Sequence, residues 1–266
     1  MRVNGKLYSY SLDEKSKDWN TIKPQLVFYG VNSHHPIVIG WKNLKTGHVG
    51  GDFRSFVQTK LGSLFKGAKK LVLVTHGWGW DGDLKHCKDN WVSDMAKKIN
   101  LFENDHEQSP PTVTMGICWN SKALPSIFWP MRTAQRTVNL CKLSWFAEIL
   151  SASPLIPPLP LYFKNVCTTA KVGELLARLI TAMKEIYPGL YVHGIGHSLG
   201  AHVMGNIRNF GKVKVKFEDS SWDIHVKQYT WGLTSDSADL VDNLHTDGAY
   251  YGTYQSKGHI DFFAGK

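Results

Sequence analysis

Five residues carry the clearest chemistry in this chain: Gly196, His197, Ser198, Leu199 and Gly200, which read GHSLG. A serine between the end of a strand and the start of a helix sits on a strained turn that exposes its hydroxyl. Glycines two before and two after it let the strand and helix approach closely. The backbone N–H after the serine, here that of Leu199, then points to where a carbonyl oxygen would gain negative charge. The helix N-terminus adds a partial positive charge at the same place. The implied chemistry is acyl transfer with Ser198 as nucleophile. The flanks agree, since an apolar run at 190–195 (LYVHGI) precedes the motif and a helix-like AHVMGNIRNF follows it.

The elements that must hold this serine alternate between two periodicities. Residues 25–29 (QLVFY) and 36–41 (PIVIGW) read as strands, and 71–75 (LVLVT) reads as a strand covered on both faces. HGWGWDGD at 76–83 reads as a loop. Residues 90–99 have helical spacing, with Trp91, Met95 and Ile99 four apart, and 113–119 (VTMGICW) is the next buried strand. Residues 173–186 form an amphipathic helix with a stripe of Leu175, Leu176, Leu179, Ile180 and Met183, stopped by Pro188-Gly189. Strand, crossover helix, strand is the α/β pattern, so a mainly parallel sheet flanked by helices is expected, as one domain over 1–266. Residues 120–161 stand apart as an apolar, Pro-rich insertion. It reads as a packed or irregular insert, or as a lipid-facing flap.

Composition narrows the function classes. The chain has 266 residues, 42% of them apolar and 12% aromatic, which supports a sizeable core and excludes a disordered chain. The longest uncharged stretch, 149–163, holds four prolines and is too short to span a bilayer. The N-terminal MRVNGKLYSYSLDEK does not read as a signal peptide. Cys87, Cys118, Cys141 and Cys167 fit two disulfides as well as four buried thiols, and leave the compartment open.

The formal charge of +9 is spread out, with small clusters at Lys69-Lys70, Lys97-Lys98 and 212–216 (KVKVK). The last reads as a half-exposed strand, or as a site attracted to anionic lipid. Zinc-finger spacing, an RRM aromatic signature and a dense basic stripe are missing, so nucleic acid is not the expected partner. His197 and His202 are five apart, no HExxH occurs, and Asp81 and Asp83 flank a turn glycine rather than complete a calcium loop. Neither a metal nor a cofactor is expected.

Five ordered motifs resemble one family. GHSLGAH, 196–202, resembles the elbow of the pancreatic-lipase-like family, which includes lipoprotein lipases and phospholipases A1. VTHGW, 74–78, resembles its strand and oxyanion loop, and the spacing of 162–173 its approach to the crossover helix. ADLVDNLHTDGA, 238–249, and GHIDFFAGK, 258–266, resemble two consecutive signatures. The likeness runs from about residue 24 onward, except for 120–161. It implies an α/β-hydrolase fold and hydrolysis of carboxylic esters in lipids, in a triacylglycerol lipase or phospholipase A1 lineage. It also implies a lipid ester as substrate, a lipid or membrane surface as partner, an extracellular location, and the N–H groups of Trp78 and Leu199 as oxyanion donors.

The resemblance also shows what to look for next. A serine hydrolase needs a base for the serine proton and an acid that orients the base. The family acid is the Asp of a GLDP-type turn after the strand that follows the elbow helix. Here that strand reads as 226–233 (VKQYTWGL), and Thr234 follows it. Asp236 is the nearest substitute, with Asp239 and Asp242 further on. The family histidine follows a cysteine-bounded lid beyond GHIDFF, so the sequence reads as truncated before that region.

Among the histidines present, His259 is the surrogate base, with a capping role as its alternative. His76 reads as a brace of the oxyanion loop, His202 as a packing residue, and His197 as pointing away from the nucleophile. His245 lies in a family segment where it is not the base. Two functions follow. One is a lipase-family ester hydrolase with an impaired triad. The other is a non-catalytic lipid-binding or storage protein on the same fold. Oligomeric state is not legible here.

Overall fold

The apolar run at 71–75 is covered on both faces because it lies inside a sheet. The computed structural model describes residues 2–3, 6–7, 22–31, 35–49, 53–77, 84–120, 159–210, 216–220, 233–246 and 255–264. In chain order the strands are β1 (Arg2–Val3), β2 (Lys6–Leu7), β3 (Gln25–Tyr29), β4 (Ile37–Ile39), β5 (Lys70–Thr75), β6 (Thr112–Cys118), β7 (Tyr191–His197), β8 (Lys216–Ser220), β9 (Leu240–His245) and β10 (Ile260–Phe263). The helices are α1 (Trp41–Val49), α2 (Phe53–Phe56), α3 (Trp91–Asp105), α4 (Leu159–Ile186) and α5 (Leu199–Phe210). A π-helical turn, Val57–Leu61, extends α2, and 3-10 turns lie at Leu84–Asp89 and Ser235–Ser237.

β1 and β2 pair with each other, and the other eight strands form one sheet in the order β10-β9-β8-β7-β5-β6-β3-β4. β3 is antiparallel to both neighbours, and every other pairing is parallel. The expected α/β class with a mainly parallel sheet is therefore present. Alternate strand residues face opposite layers. Leu26, Phe28, Leu71 and Leu73 pack with Leu175, Leu179 and Met204 of α4 and α5, whereas Val27, Tyr29 and Val74 pack with Val92 and Ala96 of α3. The chain passes from β5 through α3 to β6, then returns through α4 on the other face to β7, on the far side of β5. In open α/β sheets such a reversal leaves a crevice at the carboxyl ends of the strands, where ligands bind.

Several local expectations change in the structure. β4 stops at Ile39, and Trp41 begins α1, where the N–H groups of Asn43 and Leu44 donate to the Gly40 carbonyl. The Asn90 side chain caps α3 by accepting from the Ser93 N–H at 3.1 Å. Its expected helix is present: Val92, Ser93, Ala96 and Asn100 are buried, Ile99 packs beside them partly buried, and Trp91 and Met95 are exposed. Polar Ser93 and Asn100 can go inside because Ser93 meets the Tyr29 hydroxyl and Asn100 donates to the carbonyls of Tyr29 and Thr112.

α4 begins at Leu159 rather than Gly173, with Pro160 in the first turn where its missing N–H costs nothing. Its predicted stripe is buried throughout. At Gly173, α4 and α5 approach so closely that a Cβ would lie 2.5 Å from the Asn206 Cβ. The strand beside β7 is β8 at Lys216–Ser220. Residues 226–232, 212–215 and 121–158 lie outside the described residues, so the flap reading falls outside them too.

Candidate active site

Ser198 stands between β7 and α5 with φ at +55°, in the left-handed region that serine rarely enters. Such a conformation costs roughly 1–2 kcal/mol and persists only where the surroundings enforce it. The surroundings here are two glycines. A Cβ at Gly196 would meet the Ala201 nitrogen at 2.5 Å and the Gly200 carbonyl oxygen at 2.6 Å. A Cβ at Gly200 would meet the His76 carbonyl oxygen at 2.6 Å and that of Thr75 at 2.9 Å. The first turn of the helix closes with the Ala201 N–H donating to the Ser198 carbonyl at 3.0 Å. The GHSLG spacing thus has the steric cause that the sequence suggests.

The loop leaving β5 presses against this serine. A Cβ on Gly77 would lie 2.6 Å from the Ser198 Cβ and 3.0 Å from its Oγ, so only glycine leaves the hydroxyl uncovered. Leu199 is buried as the first residue of α5. Trp78, the other expected oxyanion donor, lies outside the described residues, one position after Gly77.

His76 is buried beneath the loop. Its Nδ1 lies 2.8 Å from the Gly77 carbonyl oxygen, and the Trp119 N–H donates to its Nε2 at 3.1 Å. Only an unprotonated Nε2 accepts that bond, so the proton sits on Nδ1 and is donated to Gly77. Burial pushes the pKa of His76 down to about 4. The ring also stacks on Trp119 with centroids 5.3 Å apart. Both nitrogens are engaged and the ring stays neutral, which makes His76 a brace rather than a base.

The remaining histidines are distributed along the sheet. His197 is exposed, meets Trp91 edge to face, and has its pKa lowered by partial burial. It helps line a groove of about 490 Å³ with Trp91, Met95, Ile195, Leu244 and Phe262. His202 on α5 accepts the Leu233 N–H at 3.2 Å. His245 is buried at the end of β9, 2.7 Å from the Asp261 carboxylate and stacked on Phe263. Burial alone would raise the pKa of Asp261. Hydrogen bonds from His245, Asn243 and the N–H groups of Lys257 and Gly258 outweigh it and hold the carboxyl below its usual range.

The structure does not bring His259 to Ser198. Its N–H donates to the Val241 carbonyl, and its Nδ1 accepts the Val241 N–H at 3.1 Å. Through β9 and β8, Val241 is in register with Gly194, short of the elbow. Three strand spacings of about 4.8 Å therefore separate His259 from β7, roughly 14 Å. Asp236 is exposed in the 3-10 turn at Ser235–Ser237, which Thr234 and Ser237 close by a reciprocal capping box. Among the described residues, no histidine is within hydrogen-bonding distance of the Ser198 hydroxyl.

Two features of the site were not read from sequence. Cys87 and Cys118 form a disulfide between the 3-10 turn before α3 and the end of β6. Spacing alone does not pair cysteines. Asp219 lies on β8 in register with Gly196, beside the elbow strand. No motif marks Asp219 in the sequence; the strand register alone places it beside the elbow.

A family model described as Lipase matches residues 159–265. Over 219 residues the chain is 34% identical to Inactive pancreatic lipase-related protein 1 of Mus musculus, covering 76% of the chain and 35% of that protein. It is 33% identical over 210 residues to Lipoprotein lipase of Homo sapiens, covering 75% and 35%. The Homo sapiens Inactive pancreatic lipase-related protein 1 is 36% identical over 110 residues, covering 35% of the chain and 22% of that protein. The chain spans about a third or less of the length of these relatives. The family match and these relatives agree with the elbow and its loop, and the chain belongs to the pancreatic-lipase family.

Proposed function

We propose that this chain is an α/β-hydrolase-fold carboxylic-ester hydrolase, one domain over 1–266, of a triacylglycerol lipase or phospholipase A1 lineage. Ser198 Oγ adds to the ester carbonyl carbon and loses its proton to a base. The alkoxide leaves with a proton, and water then hydrolyses the acyl-enzyme. The N–H groups of Trp78 and Leu199 receive the oxyanion. The observation that carries this reading is the left-handed Ser198, held between two glycines with Gly77 against its hydroxyl. The groove beside β7, apolar in most of its lining, suits an acyl chain.

Asp236 and His259 are the acid and base taken from sequence, and Asp219 is the acid that strand register favours. The Cys87–Cys118 disulfide supports an extracellular location. The formal charge of +9 suits an anionic lipid surface as partner.

The test is turnover of a short-chain fluorogenic ester by the purified chain and by Ser198→Ala. The expected ratio is about 100 or more, a difference of about 2.7 kcal/mol in barrier. Equal rates would remove the hydrolase reading. A second reading, a lipid-binding protein without turnover, is favoured by one observation: the Ser198 hydroxyl has no histidine partner among the described residues. Co-sedimentation with phosphatidylcholine–phosphatidylglycerol vesicles, together with equal rates for the two proteins, is the outcome it expects.

A further inference from the structure

We propose that the groove between α3 and the β9–β10 edge binds a trimethylammonium lipid headgroup, with Asp242 as its counter-ion; this rests on the lipid-ester reading above and names the head of that lipid. Strand alternation puts Asp242 and Leu244 on one face of β9, and Val241, Asn243 and His245 on the other. Backbone register fixes which face is which. Val74, Ile195, Glu218, Asp242 and Ile260 pair in one row across the sheet, from β5 to β10. Val74 belongs to the α3 layer, so Asp242 lies on the α3 side. There α3 packs on β3, β5 and β6, and the groove of about 490 Å³ lies beside it over β7 and β9.

The walls are apolar, and two of them are aromatic: Trp91 and Phe262 are 44% and 55% exposed. The chain carries a formal charge of +9, yet among the described residues the groove is lined by one carboxylate and by no lysine or arginine. That carboxylate is Asp242, and its Oδ1 is buried and meets no hydrogen-bond donor. A shielded carboxylate oxygen without a donor or a cation is costly, so a positive ligand completes the arrangement.

The walls select which positive group. A primary ammonium brings three N–H donors that each need an acceptor. Asn243, which also borders the groove, turns its side chain to Asp261 on the other face. A trimethylammonium brings no donor, and aromatic faces such as those of Trp91 and Phe262 attract it. Asp242 stands two strand spacings from Ile195 of β7, roughly 10 Å. Gly196 and His197, the two residues before Ser198, border the same groove, so a head held at Asp242 keeps its lipid next to the elbow.

The experiment is calorimetric titration of the full chain with three amphiphiles that share one tail, each below its micelle concentration: dodecylphosphocholine, dodecylphosphoethanolamine and dodecyl maltoside. None has a carboxylic ester, so binding is read without turnover. Dodecylphosphocholine should bind saturably and at least tenfold more tightly than the other two. Asp242→Asn, which keeps the side-chain shape, should weaken it at least tenfold and leave dodecyl maltoside within twofold. Phe262→Ala, at an exposed position, should weaken it at least threefold. Equal affinity for the three heads overturns the site, and equal affinity for phosphocholine and phosphoethanolamine overturns the trimethylammonium. Unchanged binding by Asp242→Asn overturns the counter-ion. If circular dichroism shows that variant unfolded, Phe262→Ala decides, and unchanged binding there overturns the site. Ester turnover dependent on Ser198 is measured separately. Its absence fails the hydrolase reading and leaves the headgroup site standing, whereas turnover without head-selective binding fails the site alone.

Discussion

The elbow region and the β9–β10 edge each bury a histidine at the carboxyl end of the sheet, and the two differ in what faces their nitrogens. His76 meets a backbone carbonyl and a backbone N–H, stays neutral, and braces the loop that touches Ser198. His245 meets a carboxylate, Asp261, itself held by Asn243 and two backbone N–H groups. The chain thus owns a serine on an elbow and a histidine–aspartate pair. The sheet keeps them apart, with β8 between β7 and β9. The residue types of a catalytic triad are not the same thing as a triad, because full triad catalysis uses all three in one hydrogen-bonded chain.

The largest effect should come from crowding the elbow. Gly200→Ala places a methyl group 2.6 Å from the His76 carbonyl oxygen, against backbone that cannot rotate away. A loss of at least about 3 kcal/mol in urea unfolding is expected. A loss under 1 kcal/mol would mean that the β5 loop and α5 are less tightly opposed than described.

Asp261→Ala makes the matching break at the other edge. It strands His245, Asn243 and two backbone donors, at a cost of roughly 3 kcal/mol. Asp261→Asn, which keeps an acceptor, should cost less by the same unfolding measurement.

Acid should act on the elbow through His76. The folded pKa of His76 lies near 4, below its unfolded value of 6.5. Its contribution to stability is therefore complete above pH 6.5 and is lost as pH falls toward 4. The loss amounts to up to about 3 kcal/mol for a shift of that size. His76→Asn should flatten the slope of unfolding free energy in that window. An unchanged slope would assign the acid sensitivity elsewhere. Asp261, whose pKa is depressed, adds its own loss only at lower pH, below its usual value of 3.8.

The smallest effect should come from His259→Ala. The variant loses one partly exposed bond to Val241, worth about 1 kcal/mol or less. Any turnover that depends on Ser198 should persist. A thousandfold fall in that turnover, with the fold intact, would make His259 the base and defeat the register argument.

The sequence was most legible where structure is local. The elbow is a strand, a turn and a helix within twenty residues, and glycine spacing reports its contacts directly. The buried strands β3, β5 and β6 were readable from their apolar runs, as was the stripe of α4. The inner face of α3 is not legible from spacing. Its buried Ser93 and Asn100 are polar residues satisfied by partners on β3 and β6, and hydropathy spacing does not register distant partners.

What the amino-acid order determined by itself is the elbow: a serine that the chain must strain, between glycines that nothing larger could replace. Tertiary structure decided the rest. It set Gly77 over the hydroxyl, paired Cys87 with Cys118, placed β8 beside β7, and carried His259 three strands away. Each of these depends on which strands lie side by side and in what register. Strand pairing joins residues far apart in the chain, so no short window of sequence contains it.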